Sequence, residues 1–87
     1  MKAIVIGCPG SGKSTFAKKL SKYTKTPLCY LDRLNWNGDK TAVAREIFDE
    51  RLSAVLQKDE WIIDGNYMRT MEKRMAKSDV IYLFDLP

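Results

Sequence analysis

Four short apolar runs alternate along the chain with segments in which apolar residues recur every three or four positions. The runs are rich in β-branched and aromatic residues, which is typical of strands that are buried on both faces of a parallel sheet. They are residues 3–6, 28–31, 61–63 and 80–84. Strands that alternate with helices predict an α/β domain with a parallel sheet and right-handed crossover connections.

The periodic segments between these runs predict three helices, the first starting near Ser14, the second ending near Lys58 and the third preceding the last strand. We expect the methionines of the third helix to lie in the core. The apolar stripes are Phe16, Ala17, Leu20 and Tyr23 in the first helix, Val43, Ile47, Phe48, Leu52, Val55 and Leu56 in the second, and Met68, Met71 and Met75 in the third.

Composition narrows the classes of function. The 87 residues are 45% hydrophobic and 30% charged, as in ordinary globular proteins, and suffice for one domain. The chain has no histidine, which excludes a Ser-His-Asp triad and an H-E-x-x-H zinc site.

Cys8 and Cys29 are too few for a zinc site or a disulfide framework, and no run is long enough to span a membrane, so we expect a cytoplasmic protein. The net charge of +4 is accompanied by no nucleic-acid motif.

One motif carries most of the chemistry. Residues 7–14 read Gly-Cys-Pro-Gly-Ser-Gly-Lys-Ser and fit the P-loop (Walker A) pattern G-x-x-x-x-G-K-[ST], between a predicted strand and a predicted helix. Such a loop turns its N–H groups toward phosphate oxygens, and the helix N-terminus adds positive charge. Lys13 is expected to reach the β- and γ-phosphates, Ser14 to bind Mg²⁺ and Thr15 to touch the α-phosphate. The predicted cofactors are therefore ATP and Mg²⁺, and the predicted binding residues are Gly7, Pro9, Gly10, Ser11, Gly12, Lys13, Ser14 and Thr15.

A P-loop also needs a carboxylate from a neighbouring strand to hold the metal. Asp32, Asp64 and Asp85 each follow a predicted strand, and the residues alone leave the choice among them open. Structural interpretations compete with the metal role, because Asp64 precedes a glycine as in a turn and Asp32 suits a helix cap.

The order of these motifs resembles adenylate kinase and related small P-loop kinases. The resemblance is carried by residues 7–15, 61–65 and 83–87, and the details are most similar to the bacterial adenylate-kinase-like proteins known as DNA topology modulation proteins. It implies a three-layer P-loop NTPase fold with strand order 2-3-1-4. It also implies a phosphotransferase that moves the γ-phosphoryl group of Mg·ATP to a small-molecule or nucleotide acceptor.

The resemblance further implies roles for single residues. Lys13, Asp32, Asp64 and Arg69 are the implied catalytic residues. Asp64, with Ser14, would hold the metal. Asp32 is similar to the acceptor-site acid of small-molecule kinases, which binds or deprotonates the attacking hydroxyl. Arg69 resembles a phosphate-contacting arginine but lies one position later than in that motif.

The resembled kinases continue beyond the point where this sequence stops, with further arginines, a lid and a fifth strand. We therefore expect residues 1–87 to be a single domain, the N-terminal part of a longer kinase-like domain, incomplete at its C-terminus and inefficient in phosphoryl transfer alone. Asp85 would be structural, and the open edge at 80–84 would favour self-association. The alternative function is a nucleotide-dependent regulatory protein that acts on DNA without kinase turnover.

Overall fold

The computed structural model describes residues 1–7, 12–36 and 41–84. None of the helices in these ranges is long and apolar enough to cross a bilayer. The elements are β1 (Lys2–Gly7), α1 (Lys13–Thr24), β2 (Leu28–Tyr30), α2 (Leu31–Leu34), α3 (Arg45–Leu56), β3 (Trp61–Asp64), a 3₁₀ turn (Met68–Thr70), α4 (Met71–Lys77) and β4 (Val80–Phe84).

The four strands form one sheet in the order β2-β3-β1-β4, and every neighbouring pair is parallel. The predicted α/β class, parallel sheet and strand order are confirmed. Val5 of β1 and Tyr30 of β2 both pair in register with Asp64 of β3. Because parallel strands point the same way, the C-terminal ends of β1, β2 and β3 lie at one edge of the sheet, where open α/β sheets bind ligands.

The side chains of the two central strands, β1 and β3, alternate between two apolar clusters, as the geometry of a strand requires. The first cluster includes residues of α2 and α3, and its buried members are Ile4, Leu31, Phe48, Leu52, Leu56, Trp61 and Ile63. The second includes a residue of α1, and its buried members are Ala3, Val5, Ala17 and Ile62. All of β3 is buried, which explains why its apolar run shows no alternation with polar residues.

Leu31 corrects the predicted boundary of the second strand. It is the first residue of α2, a short helix that the apolar pattern does not reveal, because a short apolar run fits strand and helix equally well. Its side chain is fully buried against Gly65, where an added Cβ would lie 2.6 Å from the Leu31 Cβ. Glycine is therefore needed at position 65 for this close approach.

Three residues of the predicted apolar stripes face solvent. Tyr23 of α1 is 91% exposed, Ile47 of α3 is 41% exposed and Met75 of α4 is 47% exposed, so their assignment to the core is wrong. Met71 is buried as predicted, and the side chain of Met68 lies outside the described part of the structure. All three misplaced residues belong to helices whose apolar stripe is narrower than the periodicity suggests.

β4 is paired with β1 and lies at an edge of the described sheet. Tyr82 and Phe84 pack on Phe16 of α1, with ring centroids 4.8 and 5.1 Å away. The alternate residues Ile81 and Leu83 are 38% and 66% exposed. The strand is thus anchored on one face and exposes apolar side chains on the other.

Candidate functional site

α1 begins directly at the P-loop motif. Gly12 precedes it with a φ of 84°, a left-handed conformation that favours glycine, and no side chain caps the helix N-terminus. The first backbone N–H groups of α1 therefore keep their capacity to bind an anion. Thr15 is exposed in the first turn. The predicted binding residues Pro9, Gly10 and Ser11 lie outside the described residues.

Asp64 brings the predicted phosphate and metal residues together. The Lys13 ammonium donates to one Asp64 carboxylate oxygen at 2.7 Å, and the Ser14 hydroxyl donates to the other at 3.3 Å. Asp64 is only 5% exposed, so its charge has been taken out of water and needs these partners. β1 and β3 pair in parallel, so their C-terminal ends lie side by side. Asp64, the last residue of β3, therefore meets Lys13 and Ser14 in the first turn of α1, the helix that follows β1.

Asn66 holds the first residue of the P-loop motif, a contact that the sequence analysis missed. Its side-chain oxygen accepts from the Gly7 N–H at 2.9 Å, and its side-chain nitrogen donates to the Gly7 carbonyl at 2.9 Å. One amide thus satisfies both backbone groups of Gly7 and fixes the direction in which the chain leaves β1. An asparagine after Asp-Gly indicates a turn in the sequence but gives no hint of this distant partner.

Arg74 organises the loop after β3 and is the second residue that the sequence analysis missed. The sequence favours a solvated position for it, yet it is fully buried. Its guanidinium donates to the carbonyls of Gly65, Asn66 and Tyr67 at 2.9–3.2 Å and to the Thr70 hydroxyl at 3.2 Å. Burial lowers the pKa of Arg74. The hydrogen-bond acceptors around its guanidinium compensate for the water that it has lost.

Tyr67 connects the same loop to Asp32, the second residue of α2. The Tyr67 hydroxyl donates to an Asp32 carboxylate oxygen at 2.7 Å, and the tyrosine ring stacks on Phe48 with centroids 5.3 Å apart. Burial, followed by the hydrogen bond to Asp32, raises the pKa of Tyr67 to about 12. At neutral pH the hydroxyl therefore keeps its proton and acts as the donor, while Asp32 remains exposed.

A cavity of about 220 Å³ joins these two groups of residues. Of the four predicted catalytic residues, Lys13, Asp32 and Asp64 line it together. Among the described residues, its lining is Lys13, Ser14, Tyr30, Asp32, Asp64, Gly65, Asn66 and Tyr67. The arrangement places one lysine, two carboxylates and the hydroxyl-bearing residues Ser14, Tyr30 and Tyr67 around a space open to small polar ligands.

Arg69, the fourth predicted catalytic residue, does not line this cavity. Its guanidinium makes two hydrogen bonds to Asp49 of α3, at 2.8 and 3.1 Å, and lies 5.8 Å from the Phe48 ring centroid. The hydrogen bond raises the pKa of Arg69 and lowers that of Asp49. A phosphate contact by Arg69 stays a prediction, and it would require this ion pair to open.

The donor set beside Lys13 fits magnesium. Ser14 and Asp64 supply hard oxygen atoms, and Mg²⁺ is usually held by one or two protein groups together with waters and substrate phosphates. Within the described ranges, no three His, Cys, Asp or Glu residues cluster as a metal site of their own. A metal here would thus depend on a bound phosphate group for most of its ligands. Asp85, the third carboxylate candidate, lies outside the described residues.

Comparison with known proteins gives one informative similarity. Over 81 residues the chain is 31% identical to adenylate kinase 8 of Danio rerio, a match that covers 92% of this chain and 15% of that protein. No family model matches the chain, and no solved structure does. The similarity supports an adenylate-kinase-like P-loop protein as the broad class, and it gives no support to the DNA topology modulation family.

Proposed function

We propose that this chain binds Mg·ATP and contributes to transfer of the γ-phosphoryl group to a small-molecule or nucleotide acceptor. The observation that carries the proposal is the shared cavity, which has Lys13, Ser14 and Asp64 on one side and Asp32 with Tyr67 on the other. A phosphoryl donor and its acceptor need such a pair of adjoining subsites.

The nucleotide side consists of the P-loop motif and the start of α1. The backbone of residues 7–12 and the first N–H groups of α1 would hold the phosphates. The Lys13 ammonium carries three protons, so it can donate to a phosphate oxygen while keeping its hydrogen bond to Asp64. The remaining proposed nucleotide contact is Thr15, in the exposed first turn.

Ser14 and Asp64 would hold the magnesium ion, whose charge, when bound, offsets the negative charge that develops on the phosphate oxygens. The chain's own contribution is to keep these two oxygen donors in place. Asp64 is fixed by its position at the end of β3 and by Lys13, and Ser14 is fixed in the first turn of α1.

Asp32 is the proposed group that orients the acceptor hydroxyl and accepts its proton. One of its carboxylate oxygens already receives a hydrogen bond from Tyr67, which holds the side chain toward the cavity. Positioned acid–base groups of this kind accelerate reactions by about 10²–10⁴-fold. Positioning and electrostatic stabilisation supply the rest of the catalysis in this reaction class.

Calorimetric titration with Mg·ATP and Mg·ADP tests the nucleotide site. We expect Lys13→Ala to lower the affinity at least about tenfold, because a charge-assisted contact to phosphate is lost. Lys18→Ala, which removes an exposed lysine from the same helix, is the matched control and should bind like the wild type.

Equal affinity of wild type and Lys13→Ala would overturn the assignment of the P-loop. ADP release that depends on an added hydroxyl compound would support the phosphotransferase. Nucleotide binding with salt-sensitive DNA binding and no such turnover would instead favour the regulatory alternative.

A further inference from the structure

We infer that Asn66 is a positioning residue for the nucleotide. Its side chain fixes Gly7, the first residue of the P-loop motif, and thereby raises the affinity of the motif for phosphates. The inference deepens the proposed function and rests on it, because it names a residue on which the nucleotide side of the site depends. It follows from the way in which the pairing of β1 with β3 continues beyond the last residue of β3.

The side chain of Asn66 extends the sheet beyond the end of β3. Val5 of β1 is paired with Asp64, the last residue of β3, and the Val5 carbonyl accepts from the Gly65 N–H at 3.1 Å. In a regular parallel ladder the next groups of β1 to bond toward β3 are those of Gly7, two residues further on. Here the Asn66 side chain accepts from the Gly7 N–H and donates to the Gly7 carbonyl, each at 2.9 Å. The side-chain amide thus takes the place of a peptide group of β3.

Arg74 explains why a side chain has this task. The Arg74 guanidinium receives the backbone carbonyls of Gly65 and Asn66, at 3.0 and 3.2 Å. Because these carbonyls serve Arg74, the backbone after β3 no longer follows the ladder that joins it to β1. The link to Gly7 therefore depends on the Asn66 side chain.

Gly7 is a residue that needs such a link. It has no side chain to hold its own orientation, and glycine has more backbone freedom than any other residue. The Asn66 amide restrains it by bonding to its N–H and its carbonyl at once. At the other end of the motif, Lys13 and Ser14 are held by Asp64. The P-loop motif is thus held at both of its ends by side chains that follow one another closely after β3.

The restraint at Gly7 bears on phosphate binding. The N–H groups that a P-loop turns toward phosphates follow directly after its first glycine, so the direction of the chain at Gly7 decides where they start. If only a fraction of the molecules has the correct direction, the apparent affinity for the nucleotide falls by that fraction. Loss of the Asn66 amide should therefore weaken nucleotide binding although Lys13, Ser14 and Asp64 are unchanged.

Calorimetric titration with Mg·ADP at pH 7.5 is the first test. We expect Asn66→Ala to lower the affinity at least about fivefold, which corresponds to the correct chain direction in about one fifth of the molecules or fewer. Asn66→Asp should bind more weakly still, because an ionised carboxylate only accepts hydrogen bonds and repels the Gly7 carbonyl. Gln57→Glu, the same change from amide to carboxylate at an exposed position before β3, is the matched control and should bind like the wild type.

Repeating the titrations at pH 4.5 separates positioning from a merely structural role. A protonated carboxyl group has one O–H donor and one carbonyl acceptor, so in Asn66→Asp it can make both hydrogen bonds to Gly7 again. The affinity of Asn66→Asp, divided by that of Asn66→Ala at the same pH, should therefore rise at least about threefold from pH 7.5 to pH 4.5. The other ionisable groups around this position are common to both variants, so their titration cancels in the ratio. They are Lys13 of α1, Asp32 of α2, Asp64 of β3, Tyr67 of the following loop and Arg74 of α4.

The wild-type titration separates this inference from the proposed function. If the wild type does not bind Mg·ADP, the proposed function fails and the inference fails with it. If the wild type binds and Asn66→Ala binds equally well, or the ratio rises by less than threefold, only the inference is overturned. Should Asn66→Ala not fold, the wild type replaces it in the ratio, because Asn66→Asp has almost the shape of the natural residue.

Discussion

Two carboxylates stand at the same end of the sheet in opposite surroundings. Asp64, at the end of β3, is 5% exposed and has a partner on each oxygen, Lys13 and Ser14. Asp32, on α2, is exposed and has one partner, Tyr67. The comparison shows how one edge of a sheet provides two kinds of acid: a fixed one suited to hold a metal, and a solvated one able to exchange a proton.

A single loop, which follows β3, joins the region around Asp64 to the region around Asp32. Asn66 reaches Gly7 on the Asp64 side, the adjacent Tyr67 reaches Asp32, and Arg74 holds the carbonyls of both loop residues. The two carboxylates differ in their surroundings, and the buried Arg74 guanidinium holds the loop that lies between them.

Replacing Arg74 with methionine should have the largest effect, because it affects both regions at once. The carbonyls of the loop would lose their donor, and we expect the free energy of unfolding to fall by about 1–3 kcal/mol, the cost of leaving buried acceptors without a partner. Urea unfolding measures this loss. Lys77→Met, at an exposed position of α4, is the control, and an equal loss in both variants would contradict the account.

Asp64→Asn should affect only the region around Asp64. Removing the carboxylate takes away a proposed magnesium ligand, and we expect the affinity for ADP in the presence of Mg²⁺ to fall about 10–100-fold. In EDTA, which removes Mg²⁺, the ADP affinities of the wild type and Asp64→Asn should differ much less. Calorimetry under both conditions gives the comparison, and an equal drop with and without metal would remove the metal role from Asp64.

Tyr67→Phe should affect the Asp32 region alone. The loss of one hydrogen bond should cost about 1 kcal/mol of stability at neutral pH, with ADP affinity unchanged. The pKa of Tyr67 is raised to about 12 in the folded chain. Between about pH 10 and pH 12 the folded state therefore keeps the hydroxyl proton that the unfolded chain has already released. The stabilisation is therefore complete below about pH 10 and is lost as the pH rises toward 12.

This pH dependence is measured as the difference between wild type and Tyr67→Phe in urea unfolding at pH 8, 10 and 11, so that the other titrating groups cancel. A difference that grew with pH would contradict the hydrogen bond to Asp32.

Asp49→Asn should have the smallest effect. The ion pair with Arg69 is exposed on both sides, at 40% and 45%, and pairs of this kind are screened by water and salt. We expect the stability and the ADP affinity to stay at the wild-type values. A fall in affinity would indicate that the pair positions a group of the site, and a rise would indicate that it withholds Arg69 from the phosphates.

The sequence by itself determined the four strands of the sheet and the Lys13 side of the site. Unbroken apolar runs favour buried strands, and the P-loop pattern places Lys13 and Ser14 at a helix start. These are local patterns in which each residue's neighbours along the chain carry the information. The same patterns failed where burial depends on distant packing, at Tyr23, Ile47 and Met75.

Only the tertiary structure decided how the site is held together. Gly7 and Asn66 are 59 positions apart, and Tyr67 and Asp32 are 35 apart, so no local pattern pairs them. The sequence favours a solvated position for both Arg74 and Arg69, yet Arg74 is fully buried beneath the loop and Arg69 is paired with Asp49 at the surface. The physical reason is that a hydrogen bond or an ion pair depends on distance in space, which the parallel sheet sets by bringing the ends of β1, β2 and β3 to one edge.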